Sequence, residues 1–138
     1  MNVWSGGDYS HNTTGLYSSD VITKEVSSDW SIKGNESFLC NKVSDSLSDL
    51  IRIASTSFEN GGSYTLKMKV LNLSSSSFNV IFFNGSSNQV SVSVPASSDV
   101  VSVELTLSEV STESYLSCRL GSATPKFYCD DLTIIHNL

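Results

Sequence analysis

The chain is poor in positive charge and contains no long apolar run. Eight lysines and arginines stand against fourteen aspartates and glutamates, which gives its 138 residues a net charge of -6. Because neutralising phosphates requires a basic surface, this balance excludes a sequence-independent nucleic-acid binder and argues equally against docking on an anionic membrane. No stretch approaches the roughly 20 apolar residues of a membrane-spanning helix. We therefore expect neither nucleic acid nor a membrane as a partner.

Cysteine and histidine are scarce as well. The three cysteines, Cys40, Cys118 and Cys129, are too few for a disulfide framework. The two histidines, His11 and His136, have no cysteines at zinc-site spacing and are expected to be solvent-exposed rather than catalytic. Nothing marks a pair of carboxylates for acid–base work, so the sequence predicts that the protein is not an enzyme.

The first thirty residues lack the apolar core of a signal peptide. An extracellular or cell-surface location is nevertheless expected from the composition, because few charges with abundant serine, threonine and asparagine are typical of extracellular β-proteins. The export signal would then lie outside this chain, or the protein would leave the cell by another route, as virion proteins do.

Serine is abundant, and it alternates with apolar residues. There are thirty serines, nine threonines and ten asparagines, and from about residue 50 onward apolar and polar positions repeat with a period of two. The predicted strands are 38–43, 51–53, 64–70, 79–83, 90–94, 101–107 and 116–120, with a last strand after the 122–125 turn. Strands with one apolar face each must cover that face with a second sheet.

The pattern therefore predicts an all-β fold: a two-sheet antiparallel β-sandwich, or jelly roll, of about eight or nine strands. Residues 1–138 are predicted to form a single domain. Its first segment, 1–28, is weakly patterned and is expected to be irregular, with one edge strand at 21–26.

The two strands around the last turn are predicted to form a hairpin. Cys118 and Cys129 lie at equal distances from the centre of the 122–125 turn. In a regular antiparallel hairpin they would face each other on one side of the sheet. Because direct cross-strand disulfides are geometrically awkward, both are expected to be free thiols in the core.

Two adjacent aspartates interrupt the alternation of the last strand. Strict alternation would send Asp131 into the core and leave Leu132 and Ile134 outside, so we predict a β-bulge at Asp130–Asp131. Their carboxylates are also a candidate ligand set for calcium, which takes six to eight oxygens. From the residues alone the favoured alternative is that both bond turn amides or face water, since two carboxylates fall short of that shell.

Three short motifs resemble the carbohydrate-binding modules of the family 4/9/22 type. They are Ser-Asp-Trp-Ser at 28–31, Asn-Gly-Gly-Ser-Tyr-Thr-Leu at 60–66 and Phe-Tyr-Cys-Asp-Asp-Leu-Thr-Ile at 127–134. The resemblance covers about residues 28–136 and implies a galactose-binding-like jelly roll, a sugar ligand and a structural calcium ion near Asp130. It departs at the front, where Gly6-Gly7-Asp8-Tyr9 matches the family's calcium-holding segment only loosely.

Sugar-binding sandwiches stack aromatic rings on pyranose faces and bond hydroxyls with neighbouring polar groups, so the candidates must point outward. Alternation assigns Phe82 to the core, and Trp30 is expected to be a core or sheet-end plug. If Cys129 points inward, Tyr128 faces out. The candidate carbohydrate-binding residues are Tyr115, Arg119, Lys67, Phe83, Gln89, Trp4 and Tyr9.

The sequence is consistent with two functions. The first is a non-catalytic carbohydrate-binding module within a larger secreted or surface protein. The alternative is a structural or adhesive sandwich of a cell-surface or virion protein, such as a tail or receptor-binding component, in which the fold serves protein assembly and an oligomer is expected. The serine-rich faces and an N-terminal stretch that could pair with another chain's sheet edge keep this alternative open.

Overall fold

A computed structural model describes residues 2–7, 16–17, 21–32, 34–97 and 99–138 of the chain. These residues form ten strands and one short 3₁₀ turn at Ser55–Ser57. The strands are β1 (Asn2–Gly7), β2 (Ile22–Ser27), β3 (Ser37–Lys42), β4 (Ser48–Ile53), β5 (Ser63–Asn72), β6 (Phe78–Phe83), β7 (Gln89–Val94), β8 (Val101–Leu107), β9 (Leu116–Leu120) and β10 (Lys126–Asn137). Within this described part, no helix has the length and apolar character to cross a membrane.

The strands build two antiparallel sheets, which confirms the predicted all-β sandwich. The larger sheet has the order β2-β3-β10-β5-β8, with β1 also paired to β10, and the smaller sheet has the order β4-β9-β6-β7. The edge strand expected at 21–26 is β2. The expectation that 1–28 is otherwise irregular is wrong at its start, because β1 pairs with β10 beyond the point where β3 ends.

Period-two alternation places the core between the sheets. On β5 the side chains of Tyr64, Leu66, Met68 and Val70 are buried, while Lys67 between them is exposed. Burying an aliphatic or aromatic side chain stabilises the fold by about 1.5–3 kcal/mol each. The two layers meet directly through aromatic rings as well, as between β6 and β10. The core is therefore continuous from one sheet to the other.

The bulge predicted in the last strand is confirmed. The pairing of β10 with β5 shifts register between Asp130 and Thr133, and Asp131 has a positive φ of 50°. The extra residue restores the apolar phase, so Leu132 and Ile134 are both fully buried.

The predicted hairpin is wrong, because its two strands lie in different sheets. β9 pairs with β4 and β6, whereas β10 pairs with β1, β3 and β5. Buried Lys42 holds the connection between them by donating its Nζ to the carbonyl of Ala123 at 2.8 Å. Cys118 and Cys129 therefore enter the core from opposite sheets, and all three cysteines of the chain are free and buried, as expected.

The histidine expectation also needs correction. His136 is buried rather than exposed, because its ring stacks on Tyr64 with centroids 4.5 Å apart. His11 lies outside the described residues.

Candidate functional site

The outer face of the smaller sheet brings together polar and aromatic side chains from four strands. Cross-strand register aligns Arg52 of β4, Ser117 of β9, Phe83 of β6 and Gln89 of β7 in one row. The next row runs through Asp49, Arg119, Ile81 and Ser91. Opposed residues in neighbouring strands lie close enough for their side chains to interact. The face is therefore a continuous surface built across the whole sheet.

A bulge in β4 puts two oppositely charged residues on this face. Asp49 and Arg52 are three positions apart, so regular alternation would place them on opposite sides of the sheet. The register with β9 shifts between Asp49 and Ile51, and both Leu50 and Ile51 are buried. The extra residue turns Asp49 outward beside Arg52, where Nη2 of the arginine lies 2.7 Å from Oδ2 of the aspartate.

The same bulge anchors a residue from the N-terminal segment. The backbone N–H of Tyr17 donates to the carbonyl of Leu50 at 2.9 Å, and Lys24 donates to the Tyr17 carbonyl at 2.7 Å. This anchoring places the Tyr17 ring under Arg52, whose guanidinium carbon is 4.0 Å from the ring centroid.

Two guanidinium groups cover three aromatic rings. Arg52 lies 3.9 Å from the Tyr115 centroid as well, so it is held between two phenol rings. Arg119 lies 3.8 Å from the centroid of Phe83, and the Phe83 and Tyr115 centroids are 6.0 Å apart. We call Tyr17, Asp49, Arg52, Phe83, Tyr115 and Arg119 the aromatic–arginine face.

Asp49 is the electrostatic centre of the aromatic–arginine face. Its Oδ2 accepts bonds from Nε and Nη2 of Arg52, and its Oδ1 accepts one from Nε of Arg119 at 3.0 Å. Burial lowers the pKa of Arg52, but the hydrogen bond and the negative charge of Asp49 outweigh burial and raise it. Nη2 of Arg119 also donates to the hydroxyl of Tyr115 at 2.9 Å. Each guanidinium is thus fixed by both a ring and a hydrogen-bonded acceptor.

A buried asparagine positions the loop that carries Tyr115. Asn84 follows β6, and its Nδ2 donates to the carbonyl of Ser111 at 2.9 Å while its Oδ1 accepts the Ser111 N–H at 2.7 Å. The same amide lies 3.4 Å from the carbonyl of Tyr115. Because Asn84 adjoins Phe83, this network couples the loop to the strand that presents the second ring.

The structure unites some predicted sugar-binding residues and separates others. Tyr115, Phe83 and Arg119 belong to the aromatic–arginine face, and Gln89 stands opposite Phe83 in the adjoining strand. Lys67 lies on the outer side of the larger sheet, where it approaches Glu104 at 3.8 Å. Trp4 lies in β1 with only its backbone described, and Tyr9 falls outside the described residues. Whether any of them binds sugar stays a prediction.

The larger sheet has an aromatic pair of its own. Tyr128 points outward, as expected from the inward Cys129, and its ring stacks on Trp30 at 5.6 Å. Trp30 is half-buried and stacks on this outward ring, so a position in the core, one of the two alternatives expected for it, is wrong. The ring of Tyr128, on which Trp30 stacks, lies on the outer surface of β10 rather than between the two sheets.

Sequence reasoning missed Asp49 and Arg52, and it noted Tyr17 as an aromatic of the polar N-terminal stretch without ranking it among the binding candidates. The charged pair escaped because strict alternation cannot place residues three apart on one face. The signal that could have found it is Leu50-Ile51, two consecutive apolar residues between two charged ones, which is the pattern of a bulge. For Tyr17 the polar stretch around it indicates an aromatic outside the core, but its place beside Arg52 depends on a backbone bond to a distant strand.

Of the two aspartates predicted as calcium ligands, Asp130 bonds backbone N–H groups with both of its carboxylate oxygens. Asp130 is buried; its Oδ2 accepts the Ile32 N–H at 2.6 Å and its Oδ1 accepts the Asp131 N–H at 2.8 Å. Among the residues that the structure describes, no three His, Cys, Asp or Glu side chains form a group suited to a metal ion.

No protein-family model and no curated protein matches this chain. Solved structures do match. The CBM22-1 xylan-binding domain from Paenibacillus barcinonensis Xyn10C is 11% identical with a TM-score of 0.70, and the match covers 99% of this chain and 94% of that one. The Clostridium thermocellum Xyn10B CBM22-1–GH10 structure complexed with xylohexaose is 14% identical with a TM-score of 0.69, and the match covers 100% of this chain and 29% of that one.

A third match is the enzymatically active domain of tailspike protein 4 from bacteriophage CBA120. It is 14% identical with a TM-score of 0.66, and the match covers 99% of this chain and 22% of that one. At these identities the likenesses establish the fold. It is the β-sandwich of carbohydrate-binding modules of the family 4/9/22 type, as the sequence motifs implied.

Proposed function

We propose that this protein is a non-catalytic carbohydrate-binding module whose ligand lies across the aromatic–arginine face. The observation that carries the proposal is the convergence of three aromatic rings and two arginines on one sheet surface. Rings offer apolar surface to the C–H faces of a sugar, and guanidinium N–H groups donate to its oxygens. Two of the matching structures are named for xylan binding and for a xylohexaose complex, which supports the proposal.

Further side chains extend the site along the sheet. Gln89 is exposed beside Phe83, and its Nε2 donates to the Ser86 carbonyl at 3.2 Å, so its amide also carries an oxygen that can accept a hydrogen bond. Ser91 is exposed in the next row of β7. Planar amides and hydroxyls of this kind suit the paired hydroxyls of a glycan. Several consecutive sugar units would therefore contact one continuous surface.

A larger extracellular protein is the setting we propose for the module. The Clostridium thermocellum match joins a CBM22-1 module to a GH10 module in one structure. The match with this chain covers 29% of that longer chain, which corresponds to about one module. A non-catalytic module of this type keeps its parent protein on a glycan surface.

Paired alanine variants test the site. Tyr115→Ala should weaken binding to the best glycan found on an array by at least tenfold, which corresponds to about 1.4 kcal/mol. Tyr128→Ala is the matched control, since it removes an outward tyrosine from the opposite sheet. Isothermal titration of both variants, with their folding checked by urea unfolding, gives the comparison. Loss of binding in Tyr128→Ala alone, or no binding of the wild type to any glycan, would contradict the proposal.

A structural calcium ion at Asp130 and Asp131 is proposed on the motif resemblance alone. Its test is the melting temperature with millimolar Ca²⁺ and with EDTA. A calcium-dependent rise that Asp130→Asn abolishes is expected. An identical melting temperature in both solutions would overturn it.

A second candidate function is assembly within a virion or surface protein. It is favoured by the tailspike match alone. The expected result under this function is a stable oligomer in light scattering together with no retained glycan. A monomer that binds glycan supports the carbohydrate-binding module instead.

A further inference from the structure

The aromatic–arginine face is cationic in a protein that is otherwise acidic. The four strands of the smaller sheet contain only three charged residues, Asp49, Arg52 and Arg119, while the whole chain carries a net charge of -6. Two positive charges against one negative charge leave this sheet with a net positive charge. A positive charge attracts an anionic ligand to this surface rather than to the acidic remainder of the molecule.

The single carboxylate on the face is already engaged. The side chain of Asp49 is 1% exposed, and its two oxygens accept three N–H bonds from the arginines. The guanidinium groups are more accessible, with Arg52 33% exposed and Arg119 17% exposed. A ligand at this surface therefore meets arginine before it meets aspartate.

Each guanidinium keeps unused donors. An arginine carries five N–H groups. The hydrogen bonds of Arg52 and Arg119 use two each, and within the described part of the chain neither arginine has a further acceptor. A guanidinium presents these donors in a planar fork that matches the geometry of a carboxylate.

The rings hold the arginines in place for such a ligand. Arg52 sits between Tyr17 and Tyr115, so its long side chain loses little additional freedom when a ligand binds. The same contacts occupy one face of each ring and reduce the area open to a neutral pyranose. The arrangement thus favours hydrogen bonding to an anion over simple stacking.

We propose that the aromatic–arginine face selects glycans that carry a carboxylate on the sugar ring, with Arg52 as the principal donor to that carboxylate. The inference rests on the proposed function, because it takes glycan binding at this face as given. The uronic acid is either a main-chain unit of a polysaccharide or a side group, and the carboxylate that Arg52 would bind is the same in both.

The test compares each acidic polysaccharide with its carboxyl-reduced derivative, which keeps the linkages and removes the charge. Polygalacturonate supplies main-chain uronate and glucuronoxylan supplies side-group uronate, with isothermal titration as the measurement. We expect at least tenfold tighter binding of the acidic member of one pair, weakening as salt is added. Equal affinity within both pairs, or no binding of any of the four polymers, would overturn the inference while leaving the proposed function standing, whereas the proposed function is overturned only if the wild type binds no glycan on the array either.

Two variants test whether Arg52 recognises the carboxylate, and a sulfated polymer tests whether the surface distinguishes a carboxylate from another anion. Arg52→Gln should remove the preference for the acidic member, whereas Lys126→Gln, which deletes one exposed positive charge from the opposite sheet, should retain it. The wild-type comparison stands even if Arg52→Gln does not fold. Dextran sulfate binding as tightly as the uronate would overturn selection of the carboxylate.

Discussion

Removing the carboxylate of Asp49 should destabilise the fold as well as the aromatic–arginine face. The side chain is 1% exposed and accepts hydrogen bonds from both arginines. A net hydrogen bond to a charged group is worth about 1.5–3 kcal/mol, and removing one partner of a buried ion pair costs about 3–5 kcal/mol. Because Arg52 and Arg119 are partly exposed, water can hydrate them in Asp49→Ala, so we expect a loss at the lower end, about 2–3 kcal/mol.

Urea unfolding measures this loss directly. With a urea m-value of about 1.5 kcal/mol per M for a domain of this size, the midpoint should fall by about 1.3–2 M with an unchanged slope. Glu104→Ala is the control: its carboxylate is exposed and lies 3.8 Å from Lys67, so its removal should cost less than about 0.5 kcal/mol. A midpoint in Asp49→Ala that equals the control's would refute the reasoning, since the buried carboxylate would then contribute no more than an exposed one.

Three further predictions concern other parts of the fold. Asn84→Ala should lower the free energy of unfolding by about 2 kcal/mol and weaken glycan affinity, because it frees the loop carrying Tyr115; unchanged affinity would remove its positioning role. Asp131→Val should destabilise by about 1–2 kcal/mol in chemical unfolding, whereas Asp131→Asn should stay close to wild type, since asparagine tolerates positive φ and a β-branched residue does not. Burial raises the pKa of Cys40 to about 12 despite the nearby charge of Lys24. The contribution of this thiol to the free energy of unfolding should therefore be fully present below pH 9.0, where the unfolded thiol titrates, and should fall as pH rises from there toward 12. The slope is about 1.4 kcal/mol per pH unit for that thiol, and an equally steep fall in Cys40→Ala would contradict it.

Much of the fold could be predicted because alternation is a local property. The inward row of Tyr64, Leu66, Met68 and Val70 follows from the pleat of a single strand, and the structure buries all four. The bulge at Asp131 was predictable for the same reason, since apolar residues before and after it demand opposite phases. Phe83 and Arg119 could likewise be assigned to the outside of their own strands, and Tyr115 to the outside just before β9, although nothing in the sequence placed the three together.

Strand neighbours could not be predicted in the same way. Cys118 and Cys129 are equidistant from a turn, and a turn of that length can close a hairpin or cross to the opposite sheet. Here it crosses, and Lys42 from a distant strand holds the crossing chain. Whether Lys42 can form this hydrogen bond depends on how distant strands pack, and the residues around the turn do not reveal that.

By itself the sequence determined which face of each strand is apolar, and hence that the chain forms two sheets with a core between them. It also determined that the surface is acidic and rich in serine. Only the tertiary structure decided that Tyr17, Asp49 and Arg52 join Phe83, Tyr115 and Arg119 on one surface. The reason is physical: the direction of a side chain is set by neighbouring backbone atoms, whereas its partners are set by strand order and by a bulge in β4, which arise only when distant segments pack.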